Sequence, residues 1–271
     1  MPHSFVETAV TLANQIADQY AALPQVEAVA LGGSLATQQA SAGSDIDLYV
    51  YSHQELAVAA RTTIAQNGAS HSEVNNQFWE PGDEWIDATT GIHVDVMFRS
   101  TNWIESQLEH ILVKHQASVG YSTCFWHNVL TSTPLFDRTN WYDNVKKMAQ
   151  RPYPPQLQQN IIAKNFPILR NTLSSYLYQI NSAVRRADTV SLNHRVAALL
   201  ASYFDILFAL NELPHPGEKR LLHLAITQCL LLPDNMREQV NNLLTASTEN
   251  AYDRTNALVD GLKKLLDEQG A

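Results

Sequence analysis

Leu31-Gly32-Gly33-Ser34 and, after ten intervening residues, Asp45-Ile46-Asp47-Leu48 decide how this chain is read. The apolar run from Val26 to Leu31 predicts a buried strand that Gly32-Gly33 ends in a tight turn. Ser34 is a residue type that caps helices, so Ser34 to Gln39 is expected to begin one. Asp45 to Tyr51 predicts a second strand. Alternate residues of a strand face the same way, which puts Asp45, Asp47 and Tyr49 on one face and Ile46, Leu48 and Val50 on the other. One face is suited to binding and the other to packing.

The same arithmetic on a later strand, Ile92 to Phe98, groups His93, Asp95 and Met97 in front of Val94, Val96 and Phe98. If the two strands are neighbours, three carboxylates converge. Held close together they repel, each raising the pKa of the next. A divalent cation removes that conflict; magnesium takes one or two protein carboxylates and completes its shell with phosphate and water. The glycines let backbone approach a phosphate closely, and Ser34 and Ser44 add hydroxyl groups beside the turn and the first carboxylate. Gly-Gly-Ser alone is usually only a turn, and Asp-x-Asp alone is common at strand ends. Their combination with a third acidic strand carries the information.

Around this centre, Glu7 to Leu23 and Gln54 to Gln66 predict helices, as does Asn102 to Lys114. Asn67 to Pro81 reads as a polar stretch. Glu84 to Asp87 pairs with Ile92 to Phe98 as a hairpin through Thr89-Thr90-Gly91. Glu84 and Asp87 read first as exposed hairpin charges and second as a base, and His93 reads first as a structural side chain. Trp79, Trp85, Trp103 and Trp141 read as packing residues before they read as stacking platforms.

Arg151-Pro152-Tyr153-Pro154-Pro155 stops regular structure and places a domain boundary, giving domains 1–150 and 151–271. Beyond it, 157–173, 177–187, 192–210, 218–230, 234–244 and 250–268 carry helical periodicity, with Pro167 set to kink or split the first. The expected class is α+β, a mixed sheet with flanking helices followed by an all-α bundle.

Charge follows the same division. The chain has a formal net charge of −9, and residues 1–150 hold 6 Lys/Arg against 16 Asp/Glu while the remainder holds 12 against 11. Neither half offers the basic stripe that tracks a polynucleotide, so no long nucleic-acid partner is expected. The chain shows neither an export signal nor an apolar run of about 18 residues, so a cytoplasmic place and no membrane partner are expected. Cys124 and Cys229 are too far apart for a metal-ligand motif.

The pattern Gly-Gly-Ser, ten residues, Asp-x-Asp, then an apolar-Asp-apolar strand resembles the nucleotidyltransferase superfamily that includes DNA polymerase beta. The likeness covers about residues 25 to 100 directly. A catalytic domain followed by a helical one looks like the aminoglycoside adenylyltransferases and like bacterial nucleotidyltransferase-domain proteins. The resemblance implies that Ser34 meets a triphosphate, that Asp45 and Asp47 hold Mg2+, and that Asp95 is a third ligand or the general base; by their own chemistry Gly32 and Gly33 are read as phosphate contacts, and Ser44 as one or as the residue that orients Asp45. The resemblance also points to Lys219, at the expected start of a helix, as a phosphate contact. The implied activity is transfer of a nucleoside monophosphate, AMP from ATP, to a hydroxyl of a small molecule lodged between the domains, with release of pyrophosphate. An acidic first half suits a cationic acceptor of the aminoglycoside kind. Transfer to a protein or tRNA end, as in toxin-antitoxin systems, and a non-catalytic nucleotide-binding regulator are the alternatives.

Overall fold

The computed structural model describes residues 4–78 and 80–270, which leaves Trp79 outside the described residues. In chain order the elements are α1 (Phe5–Ala21), β1 (Val26–Leu31), α2 (Gly33–Ala36), β2 (Ile46–Ser52), α3 (Val58–Gln66), β3 (Ala69–Asn76), β4 (Gly82–Asp87), β5 (His93–Ser100), α4 (Thr101–Leu112), α5 (Cys124–Thr131), β6 (Thr133–Asp137) and α6 (Trp141–Ala149). There follow α7 (Pro155–Arg170), α8 (Tyr176–Arg185), α9 (Thr189–Leu210), α10 (Leu221–Gln228), α11 (Met236–Leu244), a 3-10 turn (Thr248–Asn250) and α12 (Ala251–Gln269). The class is α+β. Two compact units result, Met1–Leu108 with Asn128–Arg151, and Glu109–His127 with Pro152–Ala271.

The first unit is built on a six-stranded sheet ordered β3-β4-β5-β2-β1-β6. Only β2 and β5 run parallel; the other neighbours are antiparallel, so the sheet is mixed. One face packs Val29, Leu31, Ile46, Leu48, Val50, Trp85, Val94 and Val96 against Ala9, Ala13, Ile16, Ala17 and Tyr20 of α1 and Ile64 and Ala65 of α3. Each large apolar side chain buried there contributes roughly 1.5 to 3 kcal/mol by leaving water. The alternation read in Ile46-Leu48-Val50 and Val94-Val96 thus supplies the packed face. A capping box starts α1: Ser4 Oγ accepts from the Glu7 N–H at 3.3 Å, and Glu7 Oε2 accepts from the Ser4 N–H at 2.9 Å.

Three parts of the sequence reading change. Residues 69–76, taken within a polar stretch, form β3, an edge strand whose outward positions His71, Glu73 and Asn75 are exposed. Half-exposed edge strands need few apolar residues, which hides them. Ser34 is not an N-cap: Gly32 holds that position and Ser34 lies inside α2. Pro167 does not split its helix, since α7 runs on to Arg170; so near the end, its missing N–H costs one hydrogen bond of a turn that is closing anyway.

In the second unit α9 is the axis, with Ser202 to Leu210 buried without a break, the pattern of a helix covered on all sides. Residues 109–127 cluster with this unit through a buried polar network. Asn165 Oδ1 accepts from the Gly120 N–H at 2.9 Å, and its Nδ2 donates to the Ser118 carbonyl at 3.0 Å. Asp205 accepts from the Ser122 N–H at 3.0 Å and from the Ser122 hydroxyl at 2.6 Å. No helix among the described residues is long and apolar enough to cross a membrane.

Candidate active site

The face of the sheet opposite the core carries the acidic residues. Asp47 of β2 and Asp95 of β5 are direct partners across the parallel pair. Asp95 in turn faces Glu84 across β4, and Glu84 faces Glu73 across β3. Residues in register on neighbouring strands share a face, so four carboxylate side chains form one row across four strands. Asp45, half exposed, immediately precedes β2, and His93 stands between the two ends of this arrangement. Its Nδ1 lies 3.5 Å from Asp45 Oδ1 and its Nε2 lies 3.4 Å from Glu84 Oε2.

Crowding shows in the chemistry of Asp95. Burial, then the like charges of Glu84 and Asp47, push its carboxyl up to about 6, with His93 pulling the other way and Asp45 adding a smaller push. Negative charge is therefore concentrated where a cation would be most welcome. Among the described residues no three His, Cys, Asp or Glu side chains close on one metal-sized point. Hard oxygen donors from Asp47 and Asp95 nonetheless match what magnesium asks of a protein, one or two carboxylates with the rest of the shell from phosphate and water.

Both glycines of the turn are required by side chains of β2. The Gly32 N–H donates to the Asp47 carbonyl at 2.8 Å and ties the turn to the strand. A Cβ on Gly32 would overlap the edge of the Tyr49 ring, and one on Gly33 would come within 2.7 Å of Asp47 Cγ. Gly33 also has φ +59°, a conformation costly for other residues. The Asp47 carboxylate is thus seated against the turn. Ser34, partly buried, follows in α2. The Ser44 hydroxyl accepts from the Ser41 N–H at 3.0 Å and closes its own loop.

Other candidates separate by what they touch. Asp87 Oδ1 accepts from the N–H groups of Thr89 and Thr90, at 3.2 and 2.7 Å, and from the Thr90 hydroxyl at 2.7 Å, so its carboxylate builds the hairpin turn. Glu84, read first as a solvent charge, belongs to the acidic row. Glu73 carries no signal in the sequence, because nothing in 67–81 marks a strand, whereas the register of the β4–β5 hairpin alone sets Glu84 opposite Asp95. Trp85 is buried in the core, and the Trp141 indole N–H donates to Glu105 at 2.6 Å. Lys219 belongs to the second unit and is exposed in the turn before α10, whose N-cap is Arg220, so it precedes the helix it was expected to start.

Residues 13–117 match the nucleotidyltransferase domain family. Among solved structures, a nucleotidyltransferase-like protein from Exiguobacterium sibiricum 255-15 aligns at 13% identity and a TM-score of 0.46, covering 96% of this chain and 74% of that one. A STING-associated CdnE c-di-GMP synthase from Capnocytophaga granulosa aligns at 13% identity and a TM-score of 0.31, covering 97% and 81%. No curated protein matches the chain significantly.

Proposed function

We propose that the chain is a magnesium-dependent nucleotidyltransferase that moves AMP from ATP onto a hydroxyl of a cationic small molecule, of the aminoglycoside kind, and releases pyrophosphate. The observation that carries this reading is the register of Asp47 with Asp95, with the Asp47 carboxylate seated against the Gly32-Gly33 turn. In this reading Gly32, Gly33, Ser34 and Ser44 hold the triphosphate, and Asp45, Asp47 and Asp95 hold the metal. When bound, magnesium supplies the positive charge that steadies the phosphoryl oxygens and the departing pyrophosphate. The chain's own residues orient the donor: the Gly32-Gly33 turn carries no side chains that would keep phosphate oxygens from its backbone. The acceptor oxygen bonds to the α-phosphorus as the bond to the β-phosphate oxygen breaks, and the hydroxyl proton passes to a carboxylate of the row. Glu84 and Glu73 extend the negative face beyond Asp95, which favours an acceptor bearing positive charge.

The test is incubation with α-labelled ATP, magnesium and a panel of cationic and neutral polyols, following label transfer and pyrophosphate release. Asp47→Asn is expected to lower transfer about 100-fold or more, the scale of losing one electrostatic stabiliser of the transition state. Unchanged transfer in that variant would overturn the metal assignment. Label appearing on a protein or tRNA instead would replace the acceptor class, and tight ATP binding with no transfer over the whole panel would make the chain a nucleotide-binding regulator.

A further inference from the structure

Behind the turn lies a second polar arrangement that the acidic row does not use. Tyr49 follows Asp47 by two residues on β2 and shares its face, yet only 8% of it is exposed. A Cβ on Gly32 would lie 3.0 Å from Tyr49 Cζ and 3.1 Å from its hydroxyl oxygen, so the ring edge is pressed directly against the first glycine. The hydroxyl accepts from Asn128 Nδ2 of α5 at 2.7 Å. Asn128 Oδ1 accepts from Arg99 Nη1 at 2.9 Å, and Arg99 Nε and Nη2 clamp the Glu80 carboxylate at 2.8 and 2.9 Å. The Arg99 guanidinium also lies over the Tyr49 ring, 4.2 Å from its centroid.

Burying an arginine is costly unless its charge is matched and its donors are met. Filling the space under Gly32 needs no charge at all; an apolar side chain would do. The network adds what an apolar side chain lacks, because the hydroxyl fixes where the ring ends and the planar guanidinium fixes how it is tilted. We propose that Tyr49, held by Asn128 and by the Arg99–Glu80 pair, is a positioning residue that sets the height of the Gly32-Gly33 turn and hence its affinity for the triphosphate. The inference rests on the nucleotidyl-transfer reading above and assigns this buried network a part in it. Tyr49 touches the turn and not the reacting atoms, so loosening it weakens donor binding and spares the chemical step.

The experiment measures magnesium-ATP binding by equilibrium dialysis, and KM and kcat by pyrophosphate release, alongside a melting curve for each variant. Asn128→Ala and Tyr49→Phe are expected to raise the ATP KM about five- to twenty-fold with kcat within two-fold of the parent. Arg99→Lys, which keeps the charge and loses the two-pronged grip, is expected to behave like Asn128→Ala. A double-variant cycle supplies the readout that mere structural support would not move. Gly32→Ala collides with the ring and weakens ATP binding, and combining it with Asn128→Ala is expected to cost less in log Kd than the two single losses added, because both act through the seating of the same ring. Variants that lower kcat while leaving KM unchanged, or a Gly32→Ala chain that binds ATP as tightly as the parent, would overturn the positioning role with the transferase reading intact. A parent chain that binds no nucleoside triphosphate, tested with ATP, GTP, CTP and UTP, would overturn both.

Discussion

Asp95 in the first unit and Asp205 in the second have carboxyl groups pushed up to about 6, for different reasons. Burial leads in both. Around Asp205 the neighbours then help the charged form, because the Ser122 hydroxyl and N–H donate to it. Around Asp95 most neighbours oppose it, since Glu84, Asp47 and Asp45 are like charges and only His93 compensates. One carboxyl is a satisfied structural knot and the other stands among like charges that oppose its ionisation. Similar titration behaviour therefore says little about role; the sign of the neighbours says more.

The largest test of the contrast is Asp205→Ala. It strips the acceptor from two buried Ser122 donors and from Asn165 Nδ2, 3.3 Å away, and should cost about 3 kcal/mol in urea unfolding at pH 7. Asp205→Asn retains a carbonyl acceptor and should lose roughly 1 kcal/mol. Equal losses in the two variants would show that the network does not depend on the carboxylate.

Asp95→Asn should act in the opposite direction on stability. Its folded-state value of about 6 exceeds the ordinary 3.8, so the folded chain holds the proton more tightly than the unfolded chain. That contribution is present below about pH 4 and is lost as pH rises through 6. Without added metal the variant should therefore melt about 2 °C above the parent at pH 7.5, a difference that vanishes at pH 4. Scanning fluorimetry from pH 4 to 8 decides it; a constant offset across the range would contradict the crowding of the row. The smallest effect is expected for Glu84→Gln, which removes the leading like charge and should lower the Asp95 titration midpoint by less than about one unit in a carboxyl NMR titration.

The two units also differ in how legible they are. Helical periodicity in 157–268 reports α7 to α12 nearly element by element, since each amphipathic stripe is long enough to register. In the first unit β1 is read to the residue, because an apolar run meets Gly-Gly, and the hairpin of β4 and β5 is read from Thr89-Thr90-Gly91. By contrast β3 and β6 are edge strands, one polar and the other containing Pro134, and carry little periodic signal. Alternation alone gives the face that Asp45 and Asp47 share and the face of Asp95 on its own strand, while the pairing of the two strands that sets Asp47 opposite Asp95 has no signal in either stretch. Asn128 and Glu80 are not, since they reach Arg99 from sequence separations of 29 and 19 residues and no local pattern announces such a meeting.

The route of the chain through its two units has a consequence for how the protein is made. It leaves the first unit after Leu108, returns at Asn128 and leaves again after Arg151. On a ribosome, Gly120 and Ser122 emerge some 45 and 83 residues before Asn165 and Asp205, the partners that accept their backbone N–H groups. The excursion is made before those partners exist, and β6 completes the sheet of the first unit in the meantime. Severing the gene after residue 151 would strand that excursion for good, so the two units are expected to be recoverable together and not from a single cut.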